Sequence, residues 1–382
     1  MSTQTRLPDL VVLSHLRWTW VWQRPQHLVS RLAERRAAGG ARTWFVEEPV
    51  VADVTAPELH REDVGHVTRL WLVIPPHESH SELPSFDAVG AERLGELAAE
   101  LFARERRPPH PDLWFYTPIA VDISGPLAGG LVVYDVMDDL ASFIKAPQGM
   151  AEKARWLLQQ ADIVFTGGPS LHRSAAALRS DGVHMFRSGV DSTHYGGSRD
   201  LRAPHGRPVA GYVGVVDERL DLGLIRDLAH RLPDWTVRLV GPVYKIDPDI
   251  VPTAENLEYT GQLPYEKLPE VMADFDVALL PFAINPSTRS ISPTKTLEYL
   301  AAGLPVVSTR VPDVVADYSE VVHFADDGAS FADACRQVVE DSQAARDRLA
   351  RPLQARQEWD SIAAEMDRLI EQCRAARAAS RR

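Results

Sequence analysis

The stretch Ser292-Pro293-Thr294-Lys295-Thr296-Leu297-Glu298-Tyr299-Leu300-Ala301-Ala302-Gly303 runs straight into Leu304-Pro305-Val306-Val307-Ser308. Ser292 suits a helix N-cap, Pro293 the first helical position and Gly303 the far end. Leu297, Leu300 and Ala301 recur at helical spacing, and residues 304–308 read as a short buried strand. A helix feeding a buried strand is the repeating unit of a parallel α/β sheet. This reading puts Lys295 third in the helix, where a capping box would place Glu. A cation in the first turn opposes the helix dipole by a few tenths to about 1 kcal/mol. A bound anion removes the conflict, because backbone amides, dipole and lysine all favour phosphate. Glu298 shares the face of Lys295, about 5 Å deeper, where a carboxylate accepts hydrogen bonds from ribose hydroxyls. The expectation is a nucleotide-diphosphate clamp centred on Lys295 and Glu298, with Arg289, Ser290, Ser292 and Thr294 beside it. The alternative is a surface lysine that bends away from the dipole.

Outward from this stretch the α/β rhythm continues in both directions. Strands are predicted at 10–14, 43–46, 67–73, 112–116, 131–135, 163–166 and 183–186, with helices at 26–36, 94–106, 150–160 and 170–179 among them. Residues 196–208 are polar, rich in Gly and Pro and without pattern, which predicts an interdomain linker. Strands follow at 209–213, 236–240, 257–259, 277–280 and 306–308, with helices at 222–231, 267–272, 331–340 and 344–350. An amphipathic helix at 359–374 closes the chain. The predicted fold is α/β, with two doubly wound, Rossmann-like domains facing a cleft and ligands at the C-terminal strand edges. The first domain spans 1–197 with 355–382 returning to it, and the second spans 206–350.

A chain of 382 residues has room for two such cores. Its net charge of −12 argues against a nucleic-acid binder. Only five of the 41 basic residues are Lys, the composition of a GC-rich bacterial genome. Cys335 and Cys373 form no metal or disulfide pattern, so a reducing cytoplasm is expected. No signal peptide is predicted at the start, and no run approaches the ~20 apolar residues of a spanning helix. The basic end, residues 374–382, offers at most a weak peripheral membrane contact and reads better as a solvated helix end.

Several segments together resemble GT-B glycosyltransferases, in the bacterial family 4-like group, over nearly the whole chain. They are Trp22-Gln23-Arg24-Pro25-Gln26-His27, Tyr134-Asp135-Val136-Met137-Asp138-Asp139-Leu140 and Phe165-Thr166-Gly167-Gly168-Pro169-Ser170. Ser188-Gly189-Val190-Asp191, Gly211-Tyr212-Val213-Gly214 and the 291–309 block complete the set. The resemblance implies an acceptor held mainly by the first domain and a nucleotide sugar by the second. It also implies no metal requirement, and a last helix crossing back to the first domain. Many relatives carry two glutamates eight positions apart. Glu298 matches the second, but Ser290 stands at the first, which leaves the sugar and the stereochemistry open.

The residues add their own candidates. Gly214, ending a strand, lets backbone approach a ligand. Arg219 lies where relatives place a phosphate-binding arginine, or else pairs with Glu218 or Asp221. Asp138, just past a strand, is the candidate general base on the acceptor hydroxyl; Asp138 or Asp139 otherwise serves as an N-cap. Trp18, Trp20, Trp22, Arg24 and His27 crowd one loop and helix start. Trp22 and Arg24, with His15, are acceptor-site candidates. The turn Thr166-Gly167-Gly168 suits packing and ligand contact equally. The expected activity is a cytoplasmic, metal-independent, cofactor-free glycosyltransferase with Lys295 and Asp138 catalytic. Its donor is a UDP, GDP or dTDP sugar, and its acceptor is a glycan, a lipid-linked sugar or a small natural product. Rival readings are a nucleotide-sugar epimerase, a metal-dependent transferase using Asp135 and Asp138, and a non-catalytic nucleotide-sugar sensor.

Overall fold

The computed structural model describes residues 7–79, 84–204, 206–341 and 343–380. The extreme N-terminus, His205 of the expected linker, and Arg381 and Arg382 of the basic end lie outside the described residues. The chain divides into two compact units, Met1–Phe186 with Ile362–Arg382, and Arg187–Ser361.

The first unit is built on β1 (Leu10–Ser14), β2 (Thr43–Glu47), β3 (Val50–Val51), β4 (Glu58–Val64), β5 (Val67–Ile74), β6 (Asp112–Phe115), β7 (Val132–Val136), β8 (Ile163–Thr166) and β9 (Val183–Met185). Their order is β3-β5-β2-β1-β6-β7-β8-β9, parallel throughout, with β4 antiparallel on β5. Strands β1, β2, β6 and β8 are buried along their whole length. Helices covering both faces of a parallel sheet leave no face for water, so such strands read as continuous apolar runs. β4 escaped the reading for the opposite reason: its sequence, Glu58-Leu59-His60-Arg61-Glu62-Asp63-Val64, is largely exposed.

The second unit carries β10 (Val209–Val213), β11 (Thr236–Val240), β12 (Leu257–Gly261), β13 (Val277–Leu280), β14 (Val306–Ser308) and β15 (Val322–Phe324) in the order β12-β11-β10-β13-β14-β15. Renumbered within the unit this is 3-2-1-4-5-6, the strand order of a dinucleotide-binding sheet. The order reverses between β10 and β13, so the ends of those two strands are where a ligand belongs.

The segment expected as a linker is built differently. Helices Ser192–Gly196 and Ser198–Leu201 occupy it and belong to the second unit. Tyr195 and Val190 lie in that unit's core, and Val190 exchanges backbone hydrogen bonds with Gln357 and Trp359. Burial of these side chains just ahead of the expected linker ties its start to the second unit, and the units divide at Phe186–Arg187. The helix Trp359–Ser380 starts in the second unit and from Ile362 belongs to the first. Its arginines bind first-unit acids there: Arg374 pairs with buried Asp112, and Arg377 lies 2.8 Å from Asp162. Among the described residues, no helix is long and apolar enough to cross a membrane.

Candidate active site

The helix of the opening stretch runs Lys295–Ala301, with Thr294 as N-cap, so it begins later than the Ser292 cap predicted. The bonds Thr296 N–H to Pro293 O and Leu297 N–H to Thr294 O form a tight first turn ahead of the α-helical pattern. Lys295 is therefore the first helical residue rather than the third. Its side chain is 11% exposed, and its ammonium is 2.6 Å from Oε2 of Glu298, whose side chain is 2% exposed. The anion that the sequence seemed to demand from a ligand is already present one turn away. Removing one partner of a buried pair like this costs about 3–5 kcal/mol.

Two further groups act on Glu298, and Tyr265 backs them. The hydroxyl of buried Tyr195 faces its carboxylate; burial and that charge hold the Tyr195 pKa well above the usual range. His194 stacks on Tyr265 at 4.0 Å and 11°, with Nε2 3.1 Å from the Tyr265 carbonyl. Burial pulls the His194 pKa down against the opposing pull of Asp191, the Tyr265 carbonyl and Glu298. None of the three was named in the sequence reading. The signal for His194 and Tyr195 was the Ser188–Asp191 motif, which ends three residues before His194; nothing local pointed to Tyr265.

Tyr299 ties this helix to the strand edge. The amide of Val213 donates to its hydroxyl at 2.8 Å, one residue before Gly214. Gly214 has φ +157, and a Cβ there would lie 2.4 Å from Tyr212 Oη. Only glycine lets the turn after β10 fold this closely on itself. The same turn is stitched to the loop after β13: Ala283 N–H donates to Arg219 O at 2.9 Å, and Asn285 Nδ2 to Glu218 O at 3.2 Å. Asn285 Oδ1 then accepts from the amides of Ser287 (3.0 Å) and Thr288 (3.2 Å), fixing the turn that carries Arg289. Arg289 is exposed, while Ser290, Ser292 and Thr294 are half-buried just before the helix. The structure thus gathers Gly214, Arg289, Ser290, Ser292, Thr294, Lys295 and Glu298 on one edge of the second sheet. Arg219 sits on that edge too, but its guanidinium is held by Asp217 (Nη2–Oδ2 2.7 Å, Nε to both oxygens 3.0 Å). Asp221 caps the next helix by accepting from the amide of Leu224.

In the first unit, His15, Asp138 and Gly167 follow β1, β7 and β8 along the C-terminal edge of the sheet, and Asp138 is half-buried. The Gly167 amide donates to Val136 O, which fixes the chain leading to Asp138. Trp22 meets His27 edge-on at 5.2 Å, whereas Trp18 is buried against Phe45 at 5.0 Å and belongs to the packing.

Arg24 departs from expectation. It is 1% exposed, with Nε and Nη2 on Asp135 at 2.9–3.1 Å and Nη1 on the Phe186 carbonyl at 2.8 Å. Its charge is spent inside the protein, so it orients the start of the helix Arg24–Ala38 and the end of β7 rather than touching an acceptor. Asp135 is committed to the same pair. Among the described residues, no three His, Cys, Asp or Glu side chains group as metal ligands.

Comparison with known proteins places this arrangement. Residues 207–341, which hold the whole second sheet, match the family described as Glycosyl transferases group 1. A Bacillus subtilis protein named as a teichuronic acid biosynthesis glycosyltransferase, TuaH, is 25% identical over 305 residues, covering 72% of this chain and 76% of that one. Among solved structures, a Burkholderia xenovorans UDP-forming trehalose-phosphate synthase in complex with glucose-6-phosphate superposes with TM-score 0.68 at 12% identity, over 95% of this chain and 100% of that one. Anabaena HepE in complex with UDP and glucose gives TM-score 0.65 at 15% identity, over 95% and 99%. The chain is a glycosyltransferase of GT-B fold, and its residues 207–341 match the group 1 glycosyl transferases.

Proposed function

We propose that the chain transfers a hexose from a UDP-sugar to a hydroxyl of a growing glycan, in the cytoplasm, without metal or cofactor. The observation that carries this reading is the buried Lys295–Glu298 pair, set on the edge where the strand order of the second sheet reverses. The relatives' names support the substrate classes: UDP is bound by HepE, and TuaH is named for a polysaccharide.

In the reaction the bond from the anomeric carbon to the diphosphate oxygen breaks, and a bond from that carbon to the acceptor oxygen forms. Negative charge builds on the departing diphosphate. Lys295 and exposed Arg289 supply positive charge there, so they stabilise the transition state more than the bound substrate. Glu298, already oriented by Lys295 and Tyr195, accepts hydrogen bonds from the ribose hydroxyls. Asp138 takes the acceptor proton as the new bond forms. Ser290, at the position where many relatives hold an acid, offers the sugar a neutral hydroxyl.

The test is incubation with UDP-, GDP- and dTDP-hexoses and a panel of oligosaccharide acceptors, with EDTA present. The reading predicts transfer from a UDP-sugar only when acceptor is added. An epimerised sugar nucleotide formed without acceptor would instead establish the epimerase, and activity abolished by EDTA would overturn metal independence.

A further inference from the structure

The helix Lys295–Ala301 has seven residues, too few to hold its shape alone. Its C-terminal end is closed in two layers. Gly303 (φ +76) lets the Leu304 amide reach Tyr299 O at 2.9 Å and its own amide reach Leu300 O at 3.1 Å, a Schellman turn. That turn leaves the carbonyls of Ala301 and Ala302 unmet. Two arginines, Arg199 of the helix expected to be linker and Arg202 at its C-cap, take them. Arg199 Nε donates to Ala301 O at 2.9 Å and Nη2 to Leu300 O at 3.1 Å, and Arg202 Nη2 donates to Ala302 O at 3.3 Å. Asp347 grips the other edge of Arg199 at 2.8 and 2.9 Å. The fit is close: a Cβ on Gly303 would lie 2.9 Å from the Arg199 guanidinium carbon.

We propose that Arg199, anchored by Asp347, is a positioning residue for the donor site. It touches no part of the donor. It fixes the far end of a two-turn helix whose near end carries Lys295 and Glu298, while Tyr195, four residues before it, faces Glu298 directly. A cation on the last carbonyls also favours the helix electrostatically. Displacing the helix end moves both donor contacts together, and shifts of about 1 Å at such groups change activity as much as 10²-fold. The segment Ser192–Leu201 is therefore part of the donor apparatus. The inference rests on the reading that Lys295 and Glu298 bind the nucleotide.

The experiment is titration with UDP, and donor kinetics, of Arg199→Ala, Arg199→Lys, Asp347→Asn and Lys295→Met, each at a temperature where the variant is folded. Arg199→Ala is expected to raise the Kd for UDP and the donor KM about tenfold. Arg199→Lys should recover part of this, because an ammonium reaches one carbonyl but cannot also fork onto Asp347. A purely structural role would lower the melting temperature and leave the KM of the folded protein unchanged. Arg199→Ala binding UDP like the wild type, while Lys295→Met does not, would overturn the proposal. Wild-type binding by Lys295→Met would remove the donor reading and the positioning role with it. Should Arg199→Ala fail to fold, Asp347→Asn and Arg199→Lys carry the same test.

Discussion

The Arg24–Asp135 pair makes a prediction that separates framework from chemistry within one short segment. The Asp135 carboxylate is 0% exposed and the Arg24 side chain 2%, with three contacts of 2.9–3.1 Å between them. Asp135→Asn leaves a guanidinium buried without its counter-charge, and Arg24→Met leaves a carboxylate in the same position. Each should cost about 3–5 kcal/mol, a large share of the ~5–15 kcal/mol that holds a domain together. Their effects should not add. Arg24→Met with Asp135→Asn removes both charges, so the double variant should recover about 2–3 kcal/mol against the sum of the singles. Urea unfolding followed by tryptophan fluorescence measures the loss, and hydrogen exchange at the amides of β7 assigns it to the first unit. Asp138→Asn, three residues away and half-buried, should cost less than either single variant of the pair. Additive single losses, or a loss below about 1 kcal/mol for Asp135→Asn, would refute the view that this pair is a buried structural unit.

Asp138→Asn should lower kcat by about 10²–10⁴-fold with unchanged affinity for UDP; full activity would remove it as the base. Gly214→Ala drives a Cβ against Tyr212 Oη and should cost about 1–3 kcal/mol and raise the donor KM. Equal stability and KM would show that the turn after β10 has room. His194 has its pKa lowered by burial, so the stability it contributes is full above about pH 6.5 and is lost as the pH falls through its depressed value. Urea midpoints measured from pH 7.5 to 5.5 should therefore fall more steeply for wild type than for His194→Gln, and parallel slopes would contradict this.

The buried strands were legible because their apolar runs are dense: β1, β8, β10, β11, β13 and β14 match the predicted bounds residue for residue. β3, with two residues, is too short to show a period, β15 is interrupted by His323, and β4 is polar on both faces. The helices Ser192–Gly196 and Ser198–Leu201 have five and four residues, and glycine flanks hide them in the sequence. At the site, Lys295 and Glu298 were legible as a pair at helical spacing, but a sequence cannot tell whether such a pair faces a ligand or itself. Asp135 lies 111 residues from Arg24, and Asp347 lies 148 from Arg199. No local pattern announces partners that distant, so Arg24 read as a binding group and Arg199 did not read at all.

Calorimetric titration of the wild type and Lys295→Met with UDP, GDP and dTDP tests the central claim most directly. The account predicts that UDP binds the wild type and that Lys295→Met, still folded, weakens it by well over tenfold, or more than 1.4 kcal/mol. Equal affinity in the two proteins would mean that the Lys295–Glu298 pair is only an internal salt bridge, and that the nucleotide is held elsewhere.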